Sequence, residues 1–338
     1  MFDALIQLSF FTAKALIVII MILILLAGII ALLSRGKEKK QGKITIKNLK
    51  DCYSDVKETL LEVTMSKKAF KKFQKEEKAL LKKADKTDEE EKSNVFVINF
   101  NGDMKASQVT ALREEVTAIL GIAKSSDEVF LRLESPGGMV HAYGLAAAQL
   151  LRLRDHHIPL IVSVDKVAAS GGYLMAAIAN KIMAAPFAIV GSIGVIFQLP
   201  NFNRLLKEKN IDFEQITAGN FKRTLTVFGE NTEEGREKLH QEMEDIHRIF
   251  KNVVHEYRSH LDIEKVATGE HWLAKQAIEF NLVDEIKTSD DYLLEKSKTS
   301  NIYEITYHIK KSFSEKLFGG SSSSLKNLLT GYISSPLK

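Results

Sequence analysis

The longest uninterrupted apolar stretch of the chain lies near its N-terminus, from Ala15 to Leu33. A helix needs about 20 apolar residues to cross the hydrocarbon core of a bilayer, so this stretch predicts a membrane anchor within residues 1–34. The alternative is a cleaved signal peptide. However, the positive charges follow the stretch instead of preceding it, and no small-x-small cleavage pattern precedes Ser34 and Arg35. Both observations favour a retained transmembrane helix.

Residues 35–93 are predicted to form a charged helical spacer and a linker. From about Asp55 to Lys83 the chain is rich in Lys and Glu, and a thin apolar stripe recurs at helical spacing. The stripe consists of Val56, Leu60, Val63, Phe70, Phe73 and Leu80. This pattern is typical of a solvated amphipathic helix, with a membrane-surface or partner-binding role as the alternative. The run from Asp85 to Ser93 has no apolar residue and predicts a linker.

Short apolar runs alternate with helical patterns between residues 94 and 311. The predicted strands are 95–100, 128–133, 160–164 and 213–217, and the predicted helices are 107–120, 140–154, 171–180 and 232–260. This alternation predicts an α/β domain built around a largely parallel sheet. Thr232 is the candidate N-cap of the last helix.

Two further segments complete this division of the chain. The apolar run 182–199 is assigned to core strands rather than to a second membrane span, because Pro186, Gly191 and Gly194 interrupt it. Residues 312–338 contain four consecutive serines and are predicted to be a flexible tail.

Composition and charge exclude several classes of function. The 338-residue chain carries 47 Lys and Arg against 43 Asp and Glu, and a net charge of +4 does not indicate a nucleic-acid partner. The sequence has no zinc-finger spacing and no RNA-binding signature. Cys52 is the only cysteine, which excludes an intramolecular disulfide and a cysteine-based zinc site. The sequence therefore predicts no metal, no cofactor and no nucleic-acid partner.

The charges around the apolar stretch bear on its orientation. Only Asp3 and Lys14 precede it, whereas seven Lys and Arg and a single Glu lie between Arg35 and Lys50. The positive-inside rule would therefore keep the C-terminal part in the cytoplasm, although the rule is weaker when a long domain follows.

Two glycine-rich turns each follow a predicted strand, Ser-Pro-Gly-Gly at 135–138 and Ala-Ser-Gly-Gly at 169–172. A serine where a strand turns into a helix has an exposed hydroxyl near the positive amides of the helix N-terminus. Ser170 is therefore a candidate nucleophile, with an ordinary helix N-cap as the alternative. The N–H groups of Gly137 and Gly138 are candidates for an oxyanion hole, with a simple turn as the alternative.

A nucleophilic serine needs a general base. Lys222 follows the predicted strand 213–217, and a lysine acts as a base where its surroundings favour the neutral amine; an ordinary surface lysine is the alternative. His141, close after the first glycine turn, is the best histidine candidate. The next histidine after Ser170 is His240, and the group of His240, His247 and His255 is predicted to be solvated on the charged helix.

Four motifs follow one another in a fixed order along the chain. They are Ser-Pro-Gly-Gly (135–138), Ala-Ser-Gly-Gly-Tyr (169–173), Gly-Ser-Ile-Gly-Val (191–195) and Gly-Asn-Phe-Lys-Arg-Thr (219–224). Together they resemble the signal peptide peptidase A family of serine proteases, and within it the members anchored in the bacterial inner membrane. The resemblance extends over essentially the whole chain.

This resemblance implies a Ser/Lys dyad with Ser170 as the nucleophile and Lys222 as the general base. It also implies an oxyanion hole at Gly137 and Gly138, and a supporting role for the Ser192 hydroxyl beside the lysine. The implied fold is the Clp-protease/crotonase-like spiral of β-β-α units, which assembles into homo-oligomeric rings. Polypeptides are the implied substrates, cleaved through an acyl-enzyme in signal-peptide or misfolded-protein turnover.

Two other functions compete with this interpretation. A crotonase-like acyl-CoA enzyme would also use paired glycine N–H groups, but it would need neither Ser170 nor Lys222. A catalytically silent membrane scaffold would likewise have no need of both residues. The resemblance implies an inner-membrane protein with a periplasmic catalytic domain, whereas the basic flank favours a cytoplasmic one.

Overall fold

The structure is a computed structural model of the chain, and it describes residues 2–34, 42–84 and 92–308. The predicted tail 312–338 and most of the predicted linker 85–93 lie outside the described residues. The chain divides into two compact units, one of residues 1–43 and 308–338 and one of residues 44–307. Helix α1 (Phe2–Ser34) belongs to the first unit. Within α1, side chains are described at residues 10–25 and 28. Among the described residues of the chain, no helix is long and apolar enough to cross a membrane.

The rest of the described chain alternates strands and helices. Its strands are β1 (Lys43–Asn48), β2 (Asn94–Asn101), β3 (Glu128–Glu134), β4 (Leu160–Val164), β5 (Val167–Ala169), β6 (Lys181–Ala184), β7 (Ile189–Gly191), β8 (His271–Leu273), β9 (Glu285–Ile286) and β10 (Asn301–His308). Its helices are α2 (Leu49–Thr64), α3 (Lys67–Ala84), α4 (Val109–Leu120), α5 (Val140–Asp155), α6 (Gly171–Ala177), α7 (Asn203–Glu208), α8 (Glu233–Tyr257), α9 (Ile263–Val266), α10 (Ala274–Ala277) and α11 (Ser289–Lys296).

The strands form a large sheet and a small one. The large sheet has seven strands in the order β1-β10-β2-β3-β4-β6-β9, and its central strands pair in parallel. The small sheet has the order β5-β7-β8, with β5 parallel to β7. Strands β4 and β6 belong to the large sheet, and the strands that follow them, β5 and β7, belong to the small one. Each pair is followed by a helix, which is the order expected of β-β-α units.

Both faces of the large sheet are buried. Strand β2 shows this, because its successive side chains point to opposite faces and both sets are buried. Along β2, Phe96, Ile98 and Phe100 join the main core together with residues of α4, α5 and α6. Val95 and Val97 face the other way and pack in a second cluster that includes residues of α2 and α11. The continuous apolar runs of the central strands therefore reflect burial on both sides.

Most of the elements predicted between residues 94 and 311 are confirmed. The strands predicted at 95–100, 128–133 and 160–164 correspond to β2, β3 and β4, and the helices predicted at 107–120, 140–154 and 171–180 correspond to α4, α5 and α6. The apolar run 182–199 contains the short strands β6 and β7, as expected of core strands. Thr232 caps α8, since its hydroxyl accepts a hydrogen bond from the Gly235 N–H at 3.1 Å.

Two predictions of secondary structure are wrong. The spacer is not one helix, because it breaks at Met65 and Ser66 into α2 and α3. Ser66 favours the break by accepting a hydrogen bond from the Ala69 N–H at 3.4 Å, as an N-cap serine does. The segment 213–217 is not a strand, because its apolar side chains Phe213 and Ile216 are exposed and it pairs with no strand of the described chain.

An ion pair between the buried Arg258 and the partly exposed carboxylate of Asp284 fixes the C-terminal end of α8. Arg258 is 2% exposed and donates hydrogen bonds to both carboxylate oxygens of Asp284, at 2.8 and 2.7 Å. Asp284 also accepts the backbone N–H of Ile182, at the start of β6. Burial acts to raise the pKa of Asp284, but these hydrogen bonds outweigh it and hold the pKa below its ordinary value. The pair therefore ties α8 to the large sheet as a charged unit.

A buried carboxyl group, Glu115 of α4, holds the C-terminal strand of the large sheet. Glu115 is 4% exposed, and its Oε1 accepts a hydrogen bond from the Tyr307 backbone N–H of β10 at 2.8 Å. Burial raises the pKa of Glu115 from 4.5 to about 7, against the opposing effect of this hydrogen bond. The folded protein therefore binds this proton more tightly than the unfolded chain does.

We expect this group to make folding less favourable as the pH rises from 4.5 to about 7, since the unfolded chain ionises first. The loss from Glu115 alone is about 3 kcal/mol in the free energy of unfolding. Glu115→Gln keeps an oxygen acceptor for Tyr307 but cannot ionise. The variant should therefore be more stable than the wild type at about pH 8 and close to it near about pH 4.

Urea unfolding in mild detergent at the two pH values measures this difference. Glu114→Gln, one position away on α4, is the matched control and should leave the pH dependence unchanged. A Glu115→Gln protein that follows the wild-type pH dependence would contradict the assignment.

Candidate active site

Ser170 occupies a strained turn between β5 and α6. Its backbone has φ +52° and ψ −121°, a conformation that residues with side chains seldom adopt and that tends to occur at functional sites. The turn is held by hydrogen bonds from the Ser170 N–H to Gly191 O and from the Leu174 N–H to Ser170 O, both 2.9 Å. The half-buried side chain makes no capping hydrogen bond. The hydroxyl therefore stands free at the start of a helix instead of acting as an N-cap.

The pairing of β5 with β7 brings a second serine beside Ser170. Ala169 and Gly191 are paired across the two parallel strands, so Ser170 and Ser192 are the next residues at the same end of the small sheet. Ser192 has φ +53°, and its N–H donates to Glu270 O at 2.6 Å. Both serines line one cavity of about 480 Å³.

The glycine turn after β3 lies against the Ser170 turn. Gly137 has φ +90°, and a Cβ atom on it would lie 2.8 Å from the Cβ of Ser170 and 2.9 Å from the backbone N of Gly171. A Cβ on Gly138 would lie 2.3 Å from the backbone O of Met104. Neither position accommodates a side chain, so the predicted glycine motifs are in contact because both are glycine-rich.

The amide groups of these turns differ in their hydrogen bonds. The Gly137 N–H donates to the Ser135 hydroxyl oxygen at 3.1 Å. By contrast, the N–H groups of Gly138 and Gly171 have no acceptor within the described part of the chain. The amides that are free to bind an oxyanion are therefore those of Gly138 and Gly171. Gly171 was not predicted from the sequence, although the residue after a nucleophilic serine often has this role.

Helix α8 forms the opposite wall of the Ser170 cavity. His240, Met243, Glu244 and His247 line it, and His247 Nε2 lies 3.2 Å from Ile193 O. His240 is exposed, as predicted, and its Nδ1 lies 3.4 Å from a Glu244 carboxylate oxygen. The prediction that His247 is solvated is wrong, because this side chain is half-buried against the turn that carries Ser192.

Lys222 does not line this cavity. It lies exposed in a turn, with its N–H bonded to Gly219 O at 3.1 Å, and it lines a separate cavity of about 620 Å³ with Phe213, Ile216 and Phe228. His141 is exposed at the start of α5 and is likewise absent from the residues described around Ser170. Within one chain, the structure brings together Ser170, Ser192, Gly137 and Gly138, but not Lys222.

Comparisons with known proteins place these residues in a family context. The family model for the N-terminal part of peptidase family S49 matches residues 3–150, and the model for peptidase family S49 itself matches residues 152–303. A probable protease SohB of Haemophilus influenzae is 47% identical over 325 residues, which are 93% of this chain and 92% of that protein. A probable protease SohB of Buchnera aphidicola from Acyrthosiphon pisum is 53% identical over 238 residues, 70% of this chain and 71% of that protein.

Proposed function

This chain belongs to peptidase family S49, as a member of the SohB type, and we propose that it is a membrane-anchored serine endopeptidase that uses a Ser170/Lys222 dyad. The observation that carries the proposal is the backbone of Ser170. A non-glycine residue with φ +52° at a strand-to-helix turn, with its hydroxyl unused in capping, is the geometry of an exposed nucleophile.

The proposed reaction proceeds through an acyl-enzyme. Neutral Lys222 takes the proton of the Ser170 hydroxyl as its oxygen attacks the peptide carbonyl, and the proton then passes to the leaving amine. Water releases the acyl group by the reverse sequence. The carbonyl oxygen gains negative charge during attack, and the free N–H groups of Gly138 and Gly171 are its donors. Gly137 shapes the turn, since its own N–H is bonded to Ser135.

We propose that Lys222 reaches Ser170 from a neighbouring copy of the chain. Ser170 and Lys222 line separate cavities, so one chain in this arrangement has a nucleophile without its base. The segment that carries Lys222 exposes large apolar side chains that line the same cavity as Lys222, with Ile216 95%, Phe228 44% and Phe213 42% exposed. Exposed apolar side chains grouped in this way favour association, and a second copy would bury them. Ser192, beside Ser170, then supports the neutral amine of the incoming Lys222.

The membrane anchor is proposed on the apolar sequence of residues 15–33, which lies in the helix α1. The chain is then a single-pass protein of the bacterial inner membrane that acts on polypeptides, in signal-peptide or misfolded-protein turnover. A reporter fused to the C-terminus determines the side of the membrane, which the basic flank and the family resemblance predict differently.

Covalent labelling tests the proposed nucleophile. A fluorophosphonate should phosphonylate the full-length protein in detergent, and mass spectrometry of the digest should find the adduct on Ser170. A labelled Ser170 peptide would also exclude the silent scaffold. An unlabelled but folded and assembled protein would contradict the proposal and favour the scaffold.

A further inference from the structure

A directed chain of hydrogen bonds runs beneath the glycine turn. The Gly137 N–H donates to Ser135 Oγ at 3.1 Å, Ser135 Oγ lies 2.5 Å from the Tyr143 hydroxyl, and that hydroxyl donates to Asp103 O at 2.9 Å. A carbonyl oxygen only accepts, so the Tyr143 proton points to Asp103. Ser135 must therefore donate to Tyr143 and accept from Gly137. Every group in the chain is satisfied, and the direction of each bond is fixed.

The two side chains of this chain are shielded from water. Ser135 and Tyr143 are each 0% exposed. Burial raises the pKa of Tyr143 above its ordinary value, so the hydroxyl stays protonated and keeps its role as a donor. Hydrogen bonds in such a water-free environment are stronger than in solvent, and an unpaired member is costly. The Gly137 amide is therefore held in one orientation.

Ser135 also holds the strand that leads to the nucleophile. Its N–H donates to Val167 O at 2.8 Å, and its carbonyl accepts the Ala169 N–H at 3.0 Å. Ala169 immediately precedes Ser170. One residue thus fixes the approach to Ser170 through its backbone and the glycine turn through its side chain.

The glycines after Ser170 fit against the same two residues. A Cβ on Gly171 would lie 2.5 Å from the ring of Tyr143, and a Cβ on Gly172 would lie 2.5 Å from the backbone O of Ser135. The first turn of α6 therefore rests directly on Ser135 and Tyr143. A displacement of these two side chains would therefore change the position of the Gly171 N–H as well as that of the Gly137–Gly138 turn.

We propose that Ser135 and Tyr143 are positioning residues that hold the two oxyanion-binding turns in register with Ser170. This inference rests on the proposed function, since it assigns a role relative to the Ser170 nucleophile. Neither side chain reaches the cavity that Ser170 lines, so both act through the Gly137–Gly138 turn and the Gly171 amide.

Tyr143→Phe and Tyr173→Phe form a matched pair of variants. Tyr173 is also 0% exposed, lies on α6 close to Ser170, and donates its hydroxyl to Leu282 O at 3.0 Å. Each substitution removes one buried hydroxyl and leaves one carbonyl without its donor, and Tyr143→Phe also leaves the Ser135 hydroxyl without its acceptor. Both should lower the melting temperature, Tyr143→Phe by somewhat more. A merely structural role for Tyr143 predicts equal activities for the two variants.

We expect Tyr143→Phe to lower kcat for a peptide substrate by about 10- to 100-fold with KM nearly unchanged, because small displacements of catalytic groups have effects of this size. Inhibition by a peptide boronic acid, whose tetrahedral adduct needs the oxyanion donors, should weaken by a similar factor. Tyr173→Phe should change neither quantity by more than about twofold. Ser135→Ala should reproduce the effect of Tyr143→Phe, and the double variant should be no worse than either, since the chain acts as a unit.

The outcomes separate this inference from the proposed function. A wild-type protein that is not labelled at Ser170 would overturn the proposed function itself. A labelled and active wild type with equal activities in Tyr143→Phe and Tyr173→Phe would overturn only the positioning role. If Tyr143→Phe does not fold, Ser135→Ala decides by the same two measurements.

Discussion

Ser170→Ala is expected to abolish peptide hydrolysis, with a loss of about 10⁴-fold or more in kcat, while the protein keeps its stability. The loss follows because no other hydroxyl occupies the strained turn between β5 and α6 in the structure described. Stability is kept because the backbone hydrogen bonds of Ser170 are unaffected and its side chain makes no capping bond. Hydrolysis of a fluorogenic peptide and thermal unfolding, both in detergent, measure the two quantities.

A matched serine serves as the control for this substitution. Ser163 on β4 is 1% exposed, and its hydroxyl has no hydrogen-bond partner among the described residues. Ser163→Ala should therefore keep wild-type activity. Hydrolysis by Ser170→Ala at the wild-type rate would mean that another group attacks the peptide, and the proposed nucleophile would be wrong.

Lys222→Ala and Lys222→Arg are both expected to be inactive. A general base must be neutral before it accepts a proton, and arginine is not deprotonated in proteins, so the conservative substitution gives no rescue. Lys222 is exposed, and neither variant should change the melting temperature. Lys209→Ala, an exposed lysine at the end of α7, is the matched control and should be active. An active Lys222→Arg protein would contradict the role of the lysine as a base.

Mixing two inactive variants tests where the lysine comes from. In assemblies reconstituted from equal amounts of Ser170→Ala and Lys222→Ala, half of the chains supply an intact serine, and half of their neighbours supply an intact lysine. If the dyad forms between neighbouring copies, about a quarter of the wild-type activity should return. If both residues act within one chain, no site is complete and the mixture stays inactive. The separate cavities of Ser170 and Lys222 lead us to expect recovery.

The parts of the fold that were predictable are those set by local pattern. The continuous apolar runs of β2, β3 and β4 predict buried parallel strands because both faces of the sheet are covered. Thr232 predicts the start of α8 because an N-cap depends only on neighbouring residues. The strand predicted at 213–217 is wrong because its apolar side chains are exposed in the single chain, and the segment pairs with no strand of the described residues.

The parts of the site that were not predictable depend on contacts distant in sequence. The family resemblance named Ser192, but its position beside Ser170 follows from the pairing of β5 with β7, which no local pattern specifies. His247 lies near the site because α8 packs over the turn at Ile193. No role was predicted for Ser135, because only the glycines of its motif indicated a function. Its contacts with Tyr143 and β5 appear only when both glycine turns are folded together.

Hydrolysis of casein by the full-length protein purified in detergent, beside Ser170→Ala and Lys222→Ala, is the most direct test of the Ser170/Lys222 dyad. We expect activity in the wild type and none in either variant, with all three proteins folded and assembled to the same extent. Equal activity in all three would contradict it, because the peptide bond would then be cleaved without the Ser170/Lys222 dyad.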